Sequence, residues 1–256
     1  MNNLSYKKFL RKMGYINDQQ GIFTRYSENR GFWDLHIKNT KEYIINSFKN
    51  KNVKSAAILG SGWLLDLPIK EMLNKFNEIY LFDICHPIPI QKKFKNHPII
   101  KIINFDLTGG IAEKIFELSK SIKKGSQFSL NDINFPEIKE FTKYDFVVSL
   151  NVINQLNIII EDYIKKYFLC NDEEIKEFAK NIQSNHLKYL PDNKSCVITD
   201  FEEIYIKNNN EYKRENLVYI PLDCYHSIKR WQWHFDMNNN YRKGYNTIFE
   251  VIAFEK

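Results

Sequence analysis

The stretch that decides the reading runs from Val53 to Ile84, "VKSAAILGSGWLLDLPIKEMLNKFNEIYLFDI". An apolar run of strand length ends in a Gly-Ser-Gly turn. Ile69, Met72, Leu73 and Phe76 then recur at helical spacing, and a second apolar run ends on Asp83. Strand, glycine turn, helix and a strand closed by an acid is the layout of a nucleotide-cofactor site. In dinucleotide folds the turn reads GxGxxG and the helix starts at once, so that its N-terminus meets the pyrophosphate. Here Leu65 stands at the third glycine position, and "WLLDLP" delays the helix to Pro68, a residue suited to a first helical turn. The spacing favours a cofactor without phosphates.

Outward from this core the chain keeps alternating. "EIYLFDI", "IIKIINFDL", "YDFVVSL" and "SCVITDF" follow "SAAILG" as strands, with helical stripes between them in "IAEKIFELSKSI", "INQLNIIIEDYIKKYF" and "DEEIKEFAKNIQSNHLKYL". Such alternation predicts an α/β, Rossmann-like doubly wound sheet, mostly parallel, with helices on both faces. The polar stretch "KKGSQFSLNDINFPEIKEFTK" predicts a loop with one short helix. At the C-terminus "RWQWHFDM" and "NTIFEVIAFEK", joined by "NNNYRKGY", predict an antiparallel hairpin and a count of seven strands. The N-terminal residues predict two helices separated by a polar bend, giving a helical cap over 1–50 and a cofactor-binding domain over 51–256.

Composition excludes several classes. The four cysteines, Cys85, Cys170, Cys196 and Cys224, lie far apart with no CxxC pair, which points to no metal site, no disulfide framework and a reduced cytoplasm. No segment approaches the roughly 20 apolar residues of a membrane span, and the N-terminus lacks the apolar core of a signal peptide. The net charge of +6 rises from dispersed lysines and not from a block, so nucleic acid is not the expected partner.

Asp83 lies 21 residues beyond Gly62, where an acid accepts hydrogen bonds from both hydroxyls of a ribose. Asp106, closing the third strand, is placed to accept from an adenine amino group, with Phe105 or Leu107 packing near the ring. On "ILGSG", "LFDI", "NFDL" and "YDFVVSLNVINQL" the chain resembles the class I S-adenosylmethionine-dependent methyltransferases from about Val53 onward. Members of that family end with an antiparallel strand inserted beside the parallel ones. The resemblance implies methyl transfer from S-adenosylmethionine to a small-molecule or peptide acceptor, leaving S-adenosylhomocysteine. It places Gly60, Ser61, Gly62, Leu150 and Asn151 against the cofactor. The family's acid two residues before the first glycine is replaced by Ile58, which passes the cofactor's amino group to Asp66 or to a main-chain carbonyl. Two other readings stay open: an NAD-dependent oxidoreductase, and a binding protein that keeps the fold without catalysis.

Methyl transfer is an in-line displacement in which the cofactor supplies the reactivity, so catalysis leaves little trace in sequence. Candidates for the acceptor pocket come from "RYSENRGFWDLH", with Arg25, Arg30, Trp33 and His36 as a lid, and from "DCYHSIKRWQWHF", with Tyr225, His226 and Trp233. Gln155, after the fourth main strand, joins them. His36, Tyr225 and His226 are the candidate acid–base residues; His186, on a helix stripe, reads as a packed core histidine.

Overall fold

The computed structural model describes residues 3–256. Three helices come first: α1 (Asn3–Met13), α2 (Tyr15–Glu28) and α3 (Arg30–Phe48). Next come β1 (Ser55–Leu59), α4 (Ile69–Lys75), β2 (Glu78–Asp83), α5 (Ile88–Phe94), β3 (Ile100–Asn104) and α6 (Ile111–Ser121). A short β4 (Ser126–Gln127) and a 3-10 turn (Leu130–Asp132) lead to β5 (Phe146–Leu150), α7 (Gln155–Tyr167), β6 (Phe168–Leu169) and α8 (Asp172–Tyr189). The chain ends in β7 (Ser195–Lys207), β8 (Asn210–Asn216), β9 (His226–Asp236) and β10 (Asn246–Glu255).

The main sheet runs β3-β2-β1-β5-β7-β10-β9. The five strands β3 to β7 pair in parallel, and β10 lies antiparallel between β7 and β9. This is the inserted antiparallel strand that the family resemblance implies. Period-two alternation splits β1 between the two faces. Ala56 and Ile58 join a core with Trp33, Ile44 and Phe48 of α3 and with Met72 and Phe94, while Ala57 and Leu59 join Leu187 of α8 and Phe254 on the other. A further cluster packs Phe9 and Leu10 of α1 against α6, α7 and α8.

Two expectations need correction. The sheet has eight strands, because β7 runs on past Phe201, turns at Asn208 and Asn209 in left-handed conformations (φ 51 and 62°) and returns as β8 on its edge. β8, "NEYKREN", is nearly all exposed and has no apolar alternation to announce it. The expected polar bend before "GFWDLH" is the helix α2, none of whose residues is fully buried and whose inward face is broken by Asp18, Gln19 and Arg25. It is held by the half-buried Ile22 and Tyr26 against the sheet core, by Phe23 on the Trp63 ring (4.4 Å), and by Trp63 Nε1 donating to Gln19 O (2.7 Å).

His186 is the core histidine its spacing predicts. Its Nε2 lies 2.8 Å from Ser149 Oγ, and burial, aided by the Lys256 charge, pushes its pKa down to about 4. A buried base held below its ordinary value stabilises the fold fully above pH 6.5, and that contribution is lost as the pH falls toward 4. Urea unfolding at pH 7 and pH 4.5 should show a loss on the order of 3 kcal/mol from this group. His186→Gln should flatten that slope; an unchanged slope in the folded variant would contradict the assignment.

Candidate functional site

The strand order reverses between β1 and β5: from β1 the chain builds outward through β2 and β3, then returns to add β5 and β7 on the other side. Loops after adjacent strands diverge at such a point and leave a crevice at the carboxyl ends. The cleft found there is lined from both sides by Gly60 to Asp66, Asp83, Asp106 to Thr108, Leu150 to Asn151, Asp200 and Trp233, and α2 lies across it with Asp18, Gln19, Ile22 and Arg25.

Gly60 shapes this crevice. Its φ is +77°, and a Cβ on it would stand 2.2 Å from Val152 Cγ2 and 2.7 Å from Leu150 O, so the turn after β1 touches the backbone after β5. Gly62 (φ +43°) needs the same conformational freedom but has space around it. Buried Ser61 lies 3.0 Å from His86 Nε2, and His86 Nδ1 lies 3.0 Å from Asn104 Oδ1, which ties the turn to β3. Asp83 accepts from Gly62 N (2.9 Å, Oδ2) and Cys85 N (3.1 Å, Oδ1), leaving lone pairs on both oxygens. Asp106 Oδ1 accepts from Thr108 N and Oγ1, whereas its buried Oδ2 has no partner. Burial raises the pKa of both carboxyls. Asn151 sits at φ +50° and donates from Nδ2 to Asp66 Oδ2 (3.1 Å).

At the other end of the cleft, Trp33, Trp233, Phe235 and Phe249 pack edge to face and stacked. His36 is stacked on Trp233 at 3.9 Å between ring centroids. Its Nδ1 accepts from Trp231 Nε1 (3.1 Å), so the neutral ring carries its proton on Nε2, which points 3.9 Å from Asp66 Oδ2 and has no hydrogen-bond partner. Burial holds the His36 pKa low. A ring with one nitrogen occupied as acceptor and the other protonated has no lone pair to offer, which corrects His36 from base to hydrogen-bond donor.

Among the described residues, ten buried side-chain polar atoms lack a partner. Six of them line this one cleft: Arg25 Nε, His36 Nε2, Asp106 Oδ2, Asn151 Oδ1, Asp200 Oδ1 and Trp233 Nε1. Orphaned buried polar groups cost about 1–3 kcal/mol each, so their concentration here marks a site built for a polar ligand.

Of the residues expected from sequence, Gly60, Ser61, Gly62, Asp83, Asp106, Leu107, Leu150, Asn151, Trp33, His36, Gln155 and Trp233 line the cleft. Arg30 does not; it is exposed, with its guanidinium 5.9 Å from the Tyr26 ring. Tyr225 and His226 are also elsewhere. β9 runs parallel to β7, so the start of β9 lies at the amino ends of the parallel strands, opposite the crevice. There His226 is exposed beside Glu255, and Tyr225 stacks on Phe254 (4.4 Å). The cleft also takes in Asp200, which the sequence reading did not single out; it is a lone acid in "SCVITDF", two residues past the end of the pairing of β7 with β5.

No protein-family profile and no curated protein matches the sequence. Among solved structures, the N-methyltransferase NodS from Bradyrhizobium japonicum WM9 is similar at 9% identity and TM-score 0.39, over 86% of this chain and 96% of that one. An S-adenosylmethionine-dependent methyltransferase from Clostridium acetobutylicum ATCC 824 gives 12% identity and 0.39, over 91% and 98%. DhpI in complex with S-adenosylhomocysteine gives 7% and 0.38, over 93% and 95%. At so low a likeness, the chemistry of the site is carried by the residues of the cleft alone.

The contact at Gly60 makes a sharp expectation. Gly60→Ala should destabilise the protein by about 2–4 kcal/mol, from overpacking plus left-handed strain, whereas Gly62→Ala should cost only the strain, about 1–2 kcal/mol. Urea denaturation of the two variants checks the order; equal losses would contradict the close approach.

Proposed function

We propose that this protein is an S-adenosylmethionine-dependent methyltransferase acting on a small-molecule or peptide acceptor. The observation that carries the reading is the pairing, in one cleft, of a two-glycine turn bonded to Asp83 with a second acid, Asp106, whose buried Oδ2 is unpartnered. Asp83 keeps lone pairs for two ribose hydroxyls. Asp106 Oδ2 fits an adenine amino group, with Leu107 against the ring.

The methionine end fits the remaining charges. Ile58 is fully buried in the core and reaches no ligand. Asp66, which lines the cleft, suits the ammonium group, and Arg25, whose Nε is buried without a partner, suits the carboxylate. The cofactor, when bound, supplies an electrophilic methyl group on a sulfonium; the protein's own part is to hold it, align the acceptor and exclude water.

The oxidoreductase reading is less favoured on a specific ground. α4 begins only at Ile69, seven residues after Gly62, behind a turn with Leu64 at φ +60°, so the helix that follows the glycine loop does not start close behind it, as a pyrophosphate site needs. A purely partner-binding role would leave the six orphaned atoms of the cleft without purpose. Four free cysteines suit a cytoplasmic setting, and no helix among the described residues is long and apolar enough to cross a membrane.

Calorimetric titration with S-adenosylmethionine, S-adenosylhomocysteine and NAD tests the reading. Micromolar affinity for the first two, roughly −8 kcal/mol, with no heat from NAD, is expected. Asp83→Ala should weaken binding by about 1–3 kcal/mol. Binding of NAD alone, or no loss in folded Asp83→Ala, would overturn it.

A further inference from the structure

Resting on that reading, we propose that the methyl acceptor is a small amine that enters as an ammonium ion, and that Asp200 is the catalytic residue that binds it and takes its proton.

Asp200 lies on β7 two residues beyond Ile198, the last residue paired with β5, and so projects at the carboxyl edge of the sheet. Next to it the register against β10 slips: Asp200 pairs with Val251 and Glu202 with Glu250, leaving Phe201 as a bulge residue. Bulges re-aim side chains and are over-represented beside active sites. The residue is 2% exposed and lines the cleft. Asn154 Nδ2 donates to Oδ2 at 2.7 Å, and the Thr199 hydroxyl lies 3.1 Å from the Asp200 carbonyl oxygen and 3.4 Å from Asn154 Oδ1, with one proton for the two. One oxygen is therefore held and the other, Oδ1, is left buried without a partner. This is a carboxylate fixed in orientation with one free acceptor.

Its surroundings lack the positive charge it needs. Glu203, on the same strand, is another acid, already engaged bidentately by Arg242 (2.7 and 2.8 Å) from the β9–β10 connection. Tyr241 from that connection and Asn154 before α7 are neutral, and Arg25 of α2 is the one cationic side chain lining the cleft among the described residues. Against it stand Asp18, Asp66, Asp83, Asp106 and Asp200. A cofactor with a sulfonium, an ammonium and a carboxylate adds one net positive charge, which leaves the cleft negative. Burial, opposed by hydrogen bonds from the residue's own backbone N–H and from Asn154 and aided by Glu203, pushes the Asp200 pKa up to about 7. The aromatic wall beside it accepts cations: the Arg25 guanidinium lies 5.3 Å from the Phe235 ring and 5.1 Å from Tyr241. A neutral alcohol would leave this field unanswered; an ammonium ion answers it.

The proton balance is simple. An N–H proton of the ammonium passes to Asp200 Oδ1, the N–H pair becomes the nitrogen lone pair, and a neutral amine faces a neutral carboxylic acid. That lone pair forms the C–N bond as the methyl carbon–sulfur bond breaks and its electrons stay on sulfur. Asp200 later releases its proton to solvent.

The test uses the protein loaded with S-adenosylhomocysteine and four probes: benzylamine, n-butylamine, benzyl alcohol and n-butanol. Calorimetry at pH 6, 7 and 8 should show both amines binding at least tenfold more tightly than the alcohols. Affinity should rise about tenfold from pH 6 to pH 8, following ionisation of a carboxyl with pKa about 7. Asp200→Asn should lose both the preference and the pH dependence while keeping S-adenosylhomocysteine affinity within about twofold; the wild-type pH series stands as the test if that variant does not fold. Equal binding of amines and alcohols, a preference retained in Asp200→Asn, or no probe binding while S-adenosylhomocysteine binds would each overturn the proposal. Absence of S-adenosylhomocysteine binding would instead overturn the cofactor reading beneath it.

Discussion

The structure depends on one close approach, that of the turn after β1 to the backbone after β5. With Gly60 at φ +77° and no Cβ, the turn rests on Leu150 O and Val152. This contact lies where the sheet changes winding direction, so the ends of two strands far apart in sequence face one crevice. Its consequences come in order. Gly62 is carried to Asp83, Asp66 is carried to Asn151, and Asn151 takes up a left-handed backbone that a non-glycine residue adopts only when its surroundings hold it there.

The cleft gives up stability for readiness. Three donors and three acceptors are buried there with no partner, on elements that are otherwise well satisfied. His36 shows the same logic in reverse: Trp231 occupies its one lone pair, so the ring presents only an N–H toward the cleft. Asp200 is the opposite case, an acceptor kept free by a bulge and by Asn154. Local rules broken together at one place are the usual mark of a functional site.

Much of this was legible in the sequence because the signals were local and periodic. The β1 to β2 unit declares itself through apolar runs, a glycine turn and a spaced acid, and the alternation of later elements fixes a parallel sheet. The family resemblance also anticipated the inserted antiparallel strand. What escaped had no local signature. α2 covers the cleft with none of its residues fully buried, and β8 is an exposed polar ribbon that pairs with the outer half of β7. The site suffered likewise. Tyr225 and His226 carry the right chemistry but sit at the amino ends of the strands, a matter of strand direction, and Asp200 is one acid in an apolar strand whose significance comes from a bulge and a free oxygen.

The central claim is that two acids of this crevice hold the nucleoside of S-adenosylmethionine, and a crystal structure of the complex with S-adenosylhomocysteine tests it most directly. The expected result is both ribose hydroxyls about 2.5–3.0 Å from the Asp83 carboxylate and the adenine amino group on Asp106 Oδ2. A ligand bound in the crevice with its ribose away from Asp83, or bound elsewhere on the protein, would contradict it.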